Sequence, residues 1–250
     1  MTDFVSYISL FLSEKKLTQN SRKSYAYDLE QFVAQIGDRL DAYSLRLYQE
    51  SLSELKPSAQ KRKISSVNQF LYYLYDKGQV DYFYKLKAVE KKVVPLQEVS
   101  LIDLECLYRK TKHLSGQLIA LLILELGLLP SEIAELKVSN INKEFQILTV
   151  KKSEAVRILP INDWLMPYLN WKDGQVYLFE NKGKTYTRQW FFVTLSAYLD
   201  SLDLSELTAQ KLREQHILRQ QKSGVAILDL AKKLGLKSTA TLEKYYKNGY

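Results

Sequence analysis

Two side chains near the C-terminal end of this chain are suited to chemistry on a phosphate group. Arg213 stands in a run of helical type, and Tyr245 follows it after the pair Leu234-Gly235. The planar fork of an arginine donates two parallel hydrogen bonds to phosphate oxygens and keeps its charge near neutral pH. A tyrosine hydroxyl has a pKa near 10, so it becomes a nucleophile only where its surroundings remove its proton. The chemistry of this segment therefore depends on the elements that position Arg213 and Tyr245.

The order of these residues resembles the active-site segment of tyrosine recombinases, the phage integrase family, and especially its XerD-like branch. The family pattern reads His-x-Leu-Arg, then Leu-Gly-His, then a tyrosine, and the chain has matching phrases at 208–213 and 234–236 before Tyr245. Gln210 occupies the position of the first histidine, and Leu236 occupies that of the second. The resemblance thus covers the frame of the site but neither histidine.

This resemblance implies roles for three residues. Tyr245 corresponds to the nucleophile, Arg213 to the second of two phosphate-binding arginines, and Lys152 to a lysine on a β-hairpin. Lys151 fits the hairpin position as well. His216 stands three residues after Arg213, so it would share that helix face and is a candidate to replace a missing histidine. The resemblance thus assigns the catalytic roles to Tyr245, Arg213 and Lys152.

The position of the family's first arginine is occupied by Leu129, in a phrase at 127–132 that otherwise resembles Gly-Leu-Arg-hydrophobic-Ser-Glu. Leucine has none of the N–H donors of arginine. Loss of one preorganised donor slows such reactions by about 10²- to 10³-fold, and loss of an arginine on a transferred phosphoryl group by about 10³- to 10⁵-fold. We therefore expect a DNA-binding, XerD-like recombinase homologue that is impaired or inactive in strand cleavage and rejoining.

Two other functions stay open from the sequence. One is an active site-specific recombinase that forms a 3′-phosphotyrosyl DNA intermediate through Tyr245. The other is a transcription regulator, because the segment 227–246 has the small residue, the turn glycine and the second helical run of a helix-turn-helix. Ser238 and Thr241 would then read the bases. A helix-turn-helix protein rarely needs the 127–132 phrase, which favours the recombinase homologue.

The N-terminal part resembles the DNA-gripping domain of the family, in the phrases at 21–32 and 61–70. The basic residues best placed to contact phosphates lie there, and they are Arg22, Lys23, Lys61, Arg62 and Lys63. The predicted partner is double-stranded DNA held by two domains, and association with an active recombinase or with a second copy stays open. Residues 246–250 alone follow the tyrosine, so we expect the family's exchange of C-terminal helices between subunits to be absent or altered.

Composition limits the other possibilities. The formal net charge of +8 suits a polyanionic partner. One cysteine and two histidines give no metal-ligand spacing, so we predict neither a metal site nor a cofactor. The start of the chain lacks a signal-peptide pattern, and the apolar run at 118–129 is shorter than the roughly 20 residues of a membrane span. We therefore expect a cytoplasmic protein without membrane contact.

Hydrophobic periodicity predicts a mainly α-helical α+β fold. Residues Phe4, Ile8, Phe11 and Leu12 share one helix face, and the first third has about four such helices. Ser58 is the predicted N-cap of the fourth helix. The inward face of that helix consists of Ile64, Val67, Leu71 and Leu74, and we expect it to end near 77–78.

The second part combines helices with a small β-hairpin. Ser100 and Asp103 have capping-box spacing, which predicts a helix start. The runs 145–150 and 156–159 are rich in β-branched residues around a short polar turn, which predicts the hairpin. The domain prediction is a helical DNA-binding domain at 1–84, a basic linker at 85–97 and a recombinase catalytic-type domain at 98–250.

Overall fold

The protein consists of two compact units, as seen in a computed structural model. The described residues are 4–37, 39–87, 100–152 and 155–246, with Lys152 described in its backbone alone. Contacts divide the chain into Met1–Leu96, which we call the helical unit, and Gln97–Tyr250, which we call the mixed unit. Each unit has its own apolar core.

The helical unit is built from four α-helices. They are α1 (Phe4–Glu14), α2 (Gln19–Ile36), α3 (Ala42–Ser51) and α4 (Pro57–Asp76). The predicted apolar faces point inward, since the eight residues named for the first and fourth helices are all buried. Aromatic contacts pack α1 against α4 in this core, for example Phe11 against Phe70, whose ring centroids are 5.5 Å apart.

Polar side chains determine where α2 and α3 begin. Thr18 Oγ1 accepts a hydrogen bond from the Ser21 N–H at 3.2 Å, and Asp41 Oδ1 accepts one from the Ser44 N–H at 2.7 Å. These bonds satisfy N–H groups that have no partner within their own helix.

The predicted N-cap of α4 is wrong. The helix begins at Pro57, and Lys56 precedes it without a side-chain cap. Proline suits the first helical position because it has no N–H to satisfy and its φ is already helical. Ser58 consequently lies inside the first turn. The predicted end is confirmed, since the helix ends at Asp76 and Gly78 follows with φ 65°.

The chain after α4 stays in contact with the helical unit. Leu86 is buried, its N–H donates to Asn68 Oδ1 at 2.7 Å, and Asn68 Nδ2 donates back to the Leu86 carbonyl at 3.0 Å. Residues 86–87 thus pack with the helices, and the part of the predicted linker from 88 to 97 lies outside the described residues.

The mixed unit surrounds one buried helix. Its α-helices are α5 (Leu114–Leu126), α6 (Pro130–Ala134), α7 (Arg188–Asp200), α8 (Ala209–Lys222), α9 (Ile227–Lys233) and α10 (Glu243–Tyr246). Helix α5 packs against α7 and α8, and it corresponds to the long apolar run of the sequence. A Cβ at Gly116 would lie 2.5 Å from Tyr198 Cβ and 2.6 Å from the Thr194 carbonyl oxygen, so glycine permits the close approach of α5 and α7.

The predicted capping box at Ser100 and Asp103 is wrong. The described chain from Ser100 to Leu104 is not helical, and a short 3₁₀ helix follows at Glu105–Tyr108. Asp103 Oδ1 instead accepts from the Glu105 N–H at 3.0 Å, which forms a local turn. The buried Gln215 side chain bonds both the Ser100 carbonyl and the Ile102 N–H, which ties this segment to α8.

The predicted hairpin is confirmed. Strands β1 (Ile141–Asn142), β2 (Ile147–Lys152) and β3 (Ala155–Pro160) form an antiparallel sheet in that order, while β4 (Glu180–Asn181) pairs with β5 (Lys184–Thr185). The register opposes Leu148 to Leu159 and Val150 to Arg157. The mainly helical α+β class is therefore confirmed. None of the described helices is long and apolar enough to cross a membrane.

Candidate functional site

Arg213 lies in the first half of α8, with its guanidinium turned toward the end of α9. Thr208 caps α8 by accepting from the Lys211 N–H at 3.2 Å, and Leu212 is buried, so the helix face that carries Arg213 is fixed. Arg213 Nη2 donates to the Leu234 carbonyl at 3.2 Å, while its buried Nε has no hydrogen-bond partner in the described part of the chain. Burial lowers the Arg213 pKa, and the nearby Glu132 carboxylate opposes that shift.

A second arginine, Arg157 on β3, lies beside the first. Its Nη2 is 2.5 Å from Glu132 Oε1, and its Nη1 donates to the Lys233 carbonyl at 2.7 Å. The side chains of Arg157 and Glu132 are only 9% and 5% exposed. Arg157 is not among the sequence-predicted site residues, although an arginine between two β-branched residues of a predicted strand was a usable signal.

Two glycines allow this close packing. Gly235 has φ 64°, and a Cβ there would lie 3.0 Å from Arg157 Nε. Gly127 also has φ 64°, and its Cβ would lie 2.5 Å from Leu234 Cδ2 and 2.9 Å from His216 Nε2. A side chain at either position would meet both backbone strain and an occupied space.

Leu129 is held at the start of α6 through its backbone. Its N–H donates to Glu132 Oε2 at 2.9 Å, so the two carboxylate oxygens of Glu132 serve Leu129 and Arg157 respectively. The half-buried leucine side chain itself offers no hydrogen-bond donor.

Tyr245 lies on α10 and is 7% exposed, within a small apolar cluster that includes Leu230 and Leu242. Burial raises its pKa; a hydrogen bond and the charge of Lys244 lower it, whereas the Glu214 carboxylate raises it. Lys244 Nζ lies 4.5 Å from the centre of the Tyr245 ring and 3.4 Å from Glu214 Oε1. The phenol is therefore protonated near neutral pH and has an ion pair at its side.

The two positions of the missing histidines differ in surroundings. Gln210 is exposed, and its Nε2 donates to Glu214 Oε1 at 3.4 Å. Leu236 is half-buried and packs with the apolar cluster around Tyr245. His216 is 5% exposed, its Nδ1 is 2.9 Å from the Leu124 carbonyl, and burial lowers its pKa. The imidazole is thus a neutral packing group beneath Gly127.

The hairpin lysines stand at the end of β2. Lys152 is opposite Ala155 in the register, and its side chain lies outside the described part of the structure. Lys151 is exposed and opposite Val156. Within the described ranges, no group of three or more histidine, cysteine, aspartate or glutamate residues could hold a metal ion.

The basic residues of the helical unit fall into two groups. Arg22, Lys23 and Lys61 are exposed. Lys63 is 7% exposed, with its ammonium 3.4 Å from Oδ1 of the fully buried Asp28. Arg62 is exposed as well, but its Nη1 lies 2.7 Å from Asp28 Oδ2.

The segment expected to form a helix-turn-helix lacks its second helix in the predicted place. Ser238 and Thr241 lie in the non-helical segment between α9 and α10, and the described part of α10 has only four residues. The described chain thus offers no recognition helix that carries Ser238 and Thr241. Residues 247–250, on which the expectation about the C-terminal exchange depends, lie outside the described residues.

Comparison with known proteins identifies the family. The phage integrase family model matches residues 93–250, which is more than half of the chain. The chain belongs to the phage integrase family. It is also 54% identical over 244 residues to the "Tyrosine recombinase XerD-like" protein of Streptococcus mutans serotype c (strain ATCC 700610 / UA159), covering 98% of this chain and 100% of that one. The resemblance to XerD-like tyrosine recombinases is thereby confirmed.

Solved structures of integrases share the fold of this phage integrase family member. The Tn1549 transposon integrase in complex with circular intermediate DNA matches with a TM-score of 0.79 at 12% identity, covering 100% of this chain and 97% of the other. A lambda integrase dimer bound to a COC′ core site matches with a TM-score of 0.73 at 15% identity, covering 99% and 77%. At these identities the likeness concerns the fold.

Proposed function

We propose that this chain is a DNA-binding homologue of XerD-like tyrosine recombinases that cleaves and rejoins strands poorly or not at all. The observation that carries the proposal is the combination of Arg213 beside Tyr245 with a leucine at position 129. Binding requires Arg213 to meet a phosphate, whereas cleavage at an ordinary rate also requires the hydrogen-bond donors that the Leu129 side chain lacks.

Arg213 is the proposed phosphate ligand of the site. Its Nε is a buried donor without a partner among the described residues, and such a donor carries a desolvation cost until an acceptor reaches it. A DNA phosphate supplies two acceptor oxygens in the geometry that a guanidinium matches. Lys152, or Lys151 beside it, is proposed to reach the same phosphate from the hairpin.

Impaired cleavage follows from what surrounds Tyr245. The raised pKa keeps its hydroxyl protonated, and the buried ring is held among apolar residues. The side chains of Leu236 and Leu129 have no hydrogen-bond donor for the charge that develops on the phosphate. Gln210 offers only a neutral amide, which already contacts Glu214. Such losses act on the transition state, so they lower the rate of cleavage more than the affinity for DNA.

We propose that both units contact the DNA backbone. In the helical unit the exposed Arg22, Lys23 and Lys61 are the proposed phosphate ligands, with Arg62 able to contribute its exposed part. Lys63 is not a proposed phosphate ligand, because its buried ammonium lies against Asp28. Integrases of the same fold have been solved with DNA, which supports DNA as the partner. Association with an active recombinase or with a second copy is a further proposal.

A covalent-trapping experiment tests the function. Selection from duplexes with a randomised centre yields the sequence that the protein binds, and a nicked version of that duplex then traps any tyrosine–DNA adduct on a denaturing gel. We expect binding with little or no adduct from the natural chain. Leu129→Arg should increase the adduct, and Leu129→Arg combined with Tyr245→Phe should abolish it.

Leu101→Arg is the matched control, because Leu101 is an exposed leucine of the same unit and adds the same charge elsewhere. Abundant adduct from the natural chain, lost on Tyr245→Phe, would instead establish the alternative of an active recombinase. The observation in favour of that alternative is that Tyr245 lies near enough to Arg213 for its phenol to raise the Arg213 pKa against the effect of burial. Failure to select any duplex would refute the proposed function altogether.

A further inference from the structure

The Arg157–Glu132 ion pair lies inside the mixed unit, next to the proposed phosphate ligand. Both side chains are almost fully buried, and their closest atoms are 2.5 Å apart. A buried carboxylate needs a cationic or hydrogen-bonding partner, because an uncompensated charge in the interior is strongly destabilising. Glu132 meets this need with Arg157 at one oxygen and the Leu129 N–H at the other.

Arg213 is close enough to Glu132 to feel its charge, since Glu132 opposes the burial-driven lowering of the Arg213 pKa. Yet the Nε of Arg213 stays without a partner among the described residues, and its Nη2 bonds a backbone carbonyl. Two guanidinium groups, those of Arg157 and Arg213, therefore lie near Glu132, and the carboxylate is bonded to that of Arg157.

We propose that Arg157 is a positioning residue that occupies Glu132 and thereby keeps the guanidinium of Arg213 available for a DNA phosphate. This inference rests on the proposed DNA-binding function. Two arginines and one carboxylate leave one positive charge in the site. Without Arg157, Arg213 becomes the nearest cationic partner of Glu132, and the pair has no net charge with which to attract a phosphate.

The backbone contact of Arg157 strengthens this arrangement. Its Nη1 bonds the Lys233 carbonyl, one residue before the Leu234 carbonyl that Arg213 bonds. Arg157 is thus fixed at two points, Glu132 and the end of α9, which keeps it from exchanging places with Arg213. Because position 129 is a leucine, no arginine at that position can pair with Glu132 in place of Arg157.

A double-mutant cycle on DNA affinity tests the inference. The variants are Arg157→Met, Arg213→Met, Glu132→Gln and their combinations, measured on the selected duplex. Arg157→Met should weaken binding about 10-fold or more, the scale of one lost charge-assisted hydrogen bond. Adding Arg213→Met to it should then cost little more, since Arg213 is already held by Glu132. Additive losses from the two arginine variants would overturn the inference.

Rescue gives the second test. In the Arg157→Met/Glu132→Gln double variant no carboxylate competes for Arg213, so affinity should return to within about threefold of the natural chain. Relative to Arg157→Met, the negative slope of log K against log salt should also become steeper by about 0.9, the contribution of one phosphate contact. A folded double variant that binds as weakly as Arg157→Met would refute the proposal.

Controls separate this effect from simple misfolding and from charge loss. Thermal unfolding of each variant shows whether it is folded under the binding conditions. If Arg157→Met alone does not fold, the double variant still decides, because the inference requires it to bind in an Arg213-dependent way. The exposed pair Arg46–Glu50, at 3.6 Å, is the matched control, and its variants should show neither loss nor rescue. A natural chain that binds no DNA would refute the proposed function rather than the inference.

Discussion

Arg157 and Arg213 donate to consecutive backbone carbonyls at the end of α9, the first to Lys233 at 2.7 Å and the second to Leu234 at 3.2 Å. The last carbonyls of a helix have no partner within the helix and carry its partial negative charge. Two guanidinium groups from different elements satisfy them here. The end of α9 thereby becomes the point at which β3 and α8 meet.

We predict that the contact between Arg157 and the end of α9 requires glycine at position 235. Gly235→Ala places a Cβ about 3 Å from Arg157 Nε at a positive φ, so both backbone strain and displacement of a fixed guanidinium oppose it. We expect a loss of about 2 kcal/mol or more in the free energy of unfolding, measured by denaturant titration.

Gly174→Ala is the control for that variant. Gly174 also has a positive φ, 77°, but a Cβ there would meet nothing within 4 Å. It should cost about 1 kcal/mol, from backbone strain alone. Equal losses of unfolding free energy in the two variants would show that the Arg157 side chain moves away from the new Cβ without an energetic penalty.

Glu214 is predicted to hold the Tyr245 hydroxyl in its protonated form, acting after burial as a pKa-raising group against the pKa-lowering effect of Lys244. Glu214→Gln should lower the Tyr245 pKa, as followed by the ¹³Cζ resonance of labelled tyrosine assigned with Tyr245→Phe. Because the folded pKa is raised above that of the unfolded chain, Tyr245 contributes stability below about pH 10 that is lost as pH rises through the folded value. Glu214→Gln should move this loss to lower pH.

The matched control is Glu206→Gln, since the Glu206 side chain is 94% exposed and lies 3.9 Å from Lys211 rather than near Lys244. It should leave the Tyr245 resonance unchanged. An unchanged Tyr245 pKa in Glu214→Gln would contradict the assigned contact.

Asp28 is predicted to stabilise the helical unit through its two cationic partners. It is fully buried, and Asp28→Ala leaves the buried ammonium of Lys63 without its counter-charge. The expected loss is about 3–5 kcal/mol in the free energy of unfolding. Asp81→Ala, at an exposed aspartate of the same unit, should change stability by less than about 0.5 kcal/mol. A small effect of Asp28→Ala would mean that water or another group neutralises Lys63.

Exposure predicts which lysines contact DNA. Lys61→Ala should make the negative slope of log K against log salt shallower by about 0.9, since an exposed ammonium that meets a phosphate releases one counterion. Lys63→Met, compared in protein shown to be folded, should leave that slope unchanged because its ammonium lies against Asp28. The reverse order of effects would show that the buried lysine reorients toward the DNA.

Gly116 offers a test of packing against helix propensity. Within α5, replacement of glycine by alanine would favour the helix by about 1 kcal/mol if propensity alone decided. The Cβ would however lie 2.5 Å from Tyr198 Cβ and 2.6 Å from the Thr194 carbonyl oxygen, so we expect Gly116→Ala to destabilise the mixed unit. Ser115→Ala, at the exposed neighbouring position, should be neutral or slightly stabilising, and thermal unfolding measures both.

Local signals in the sequence were sufficient for the helices and the hairpin. The 3.6-residue spacing of Ile64, Val67, Leu71 and Leu74 predicts their shared face because a helix places such residues on one side wherever it packs. The phrase at 208–213, the phrase at 234–236 and Tyr245 likewise predicted the family, since the family comparison bears out that resemblance. The caps at Ser58 and Ser100 were wrong because a proline and a distant glutamine, Gln215, decided those backbones instead.

The arrangement of charges was decided by tertiary structure alone. Arg157 meets Glu132 from 25 residues away and Lys233 from 76, and no periodicity in the sequence relates these positions. His216, three residues after Arg213, is turned inward by α5, where Leu124 is 92 residues distant. Lys63 differs from Lys61 only in the face of α4 it occupies. The sequence by itself determined which side chains carry charge and which helix faces are apolar, because these depend on residue type and local spacing. Which charges pair with each other depends on long-range packing, and that only the folded chain decides.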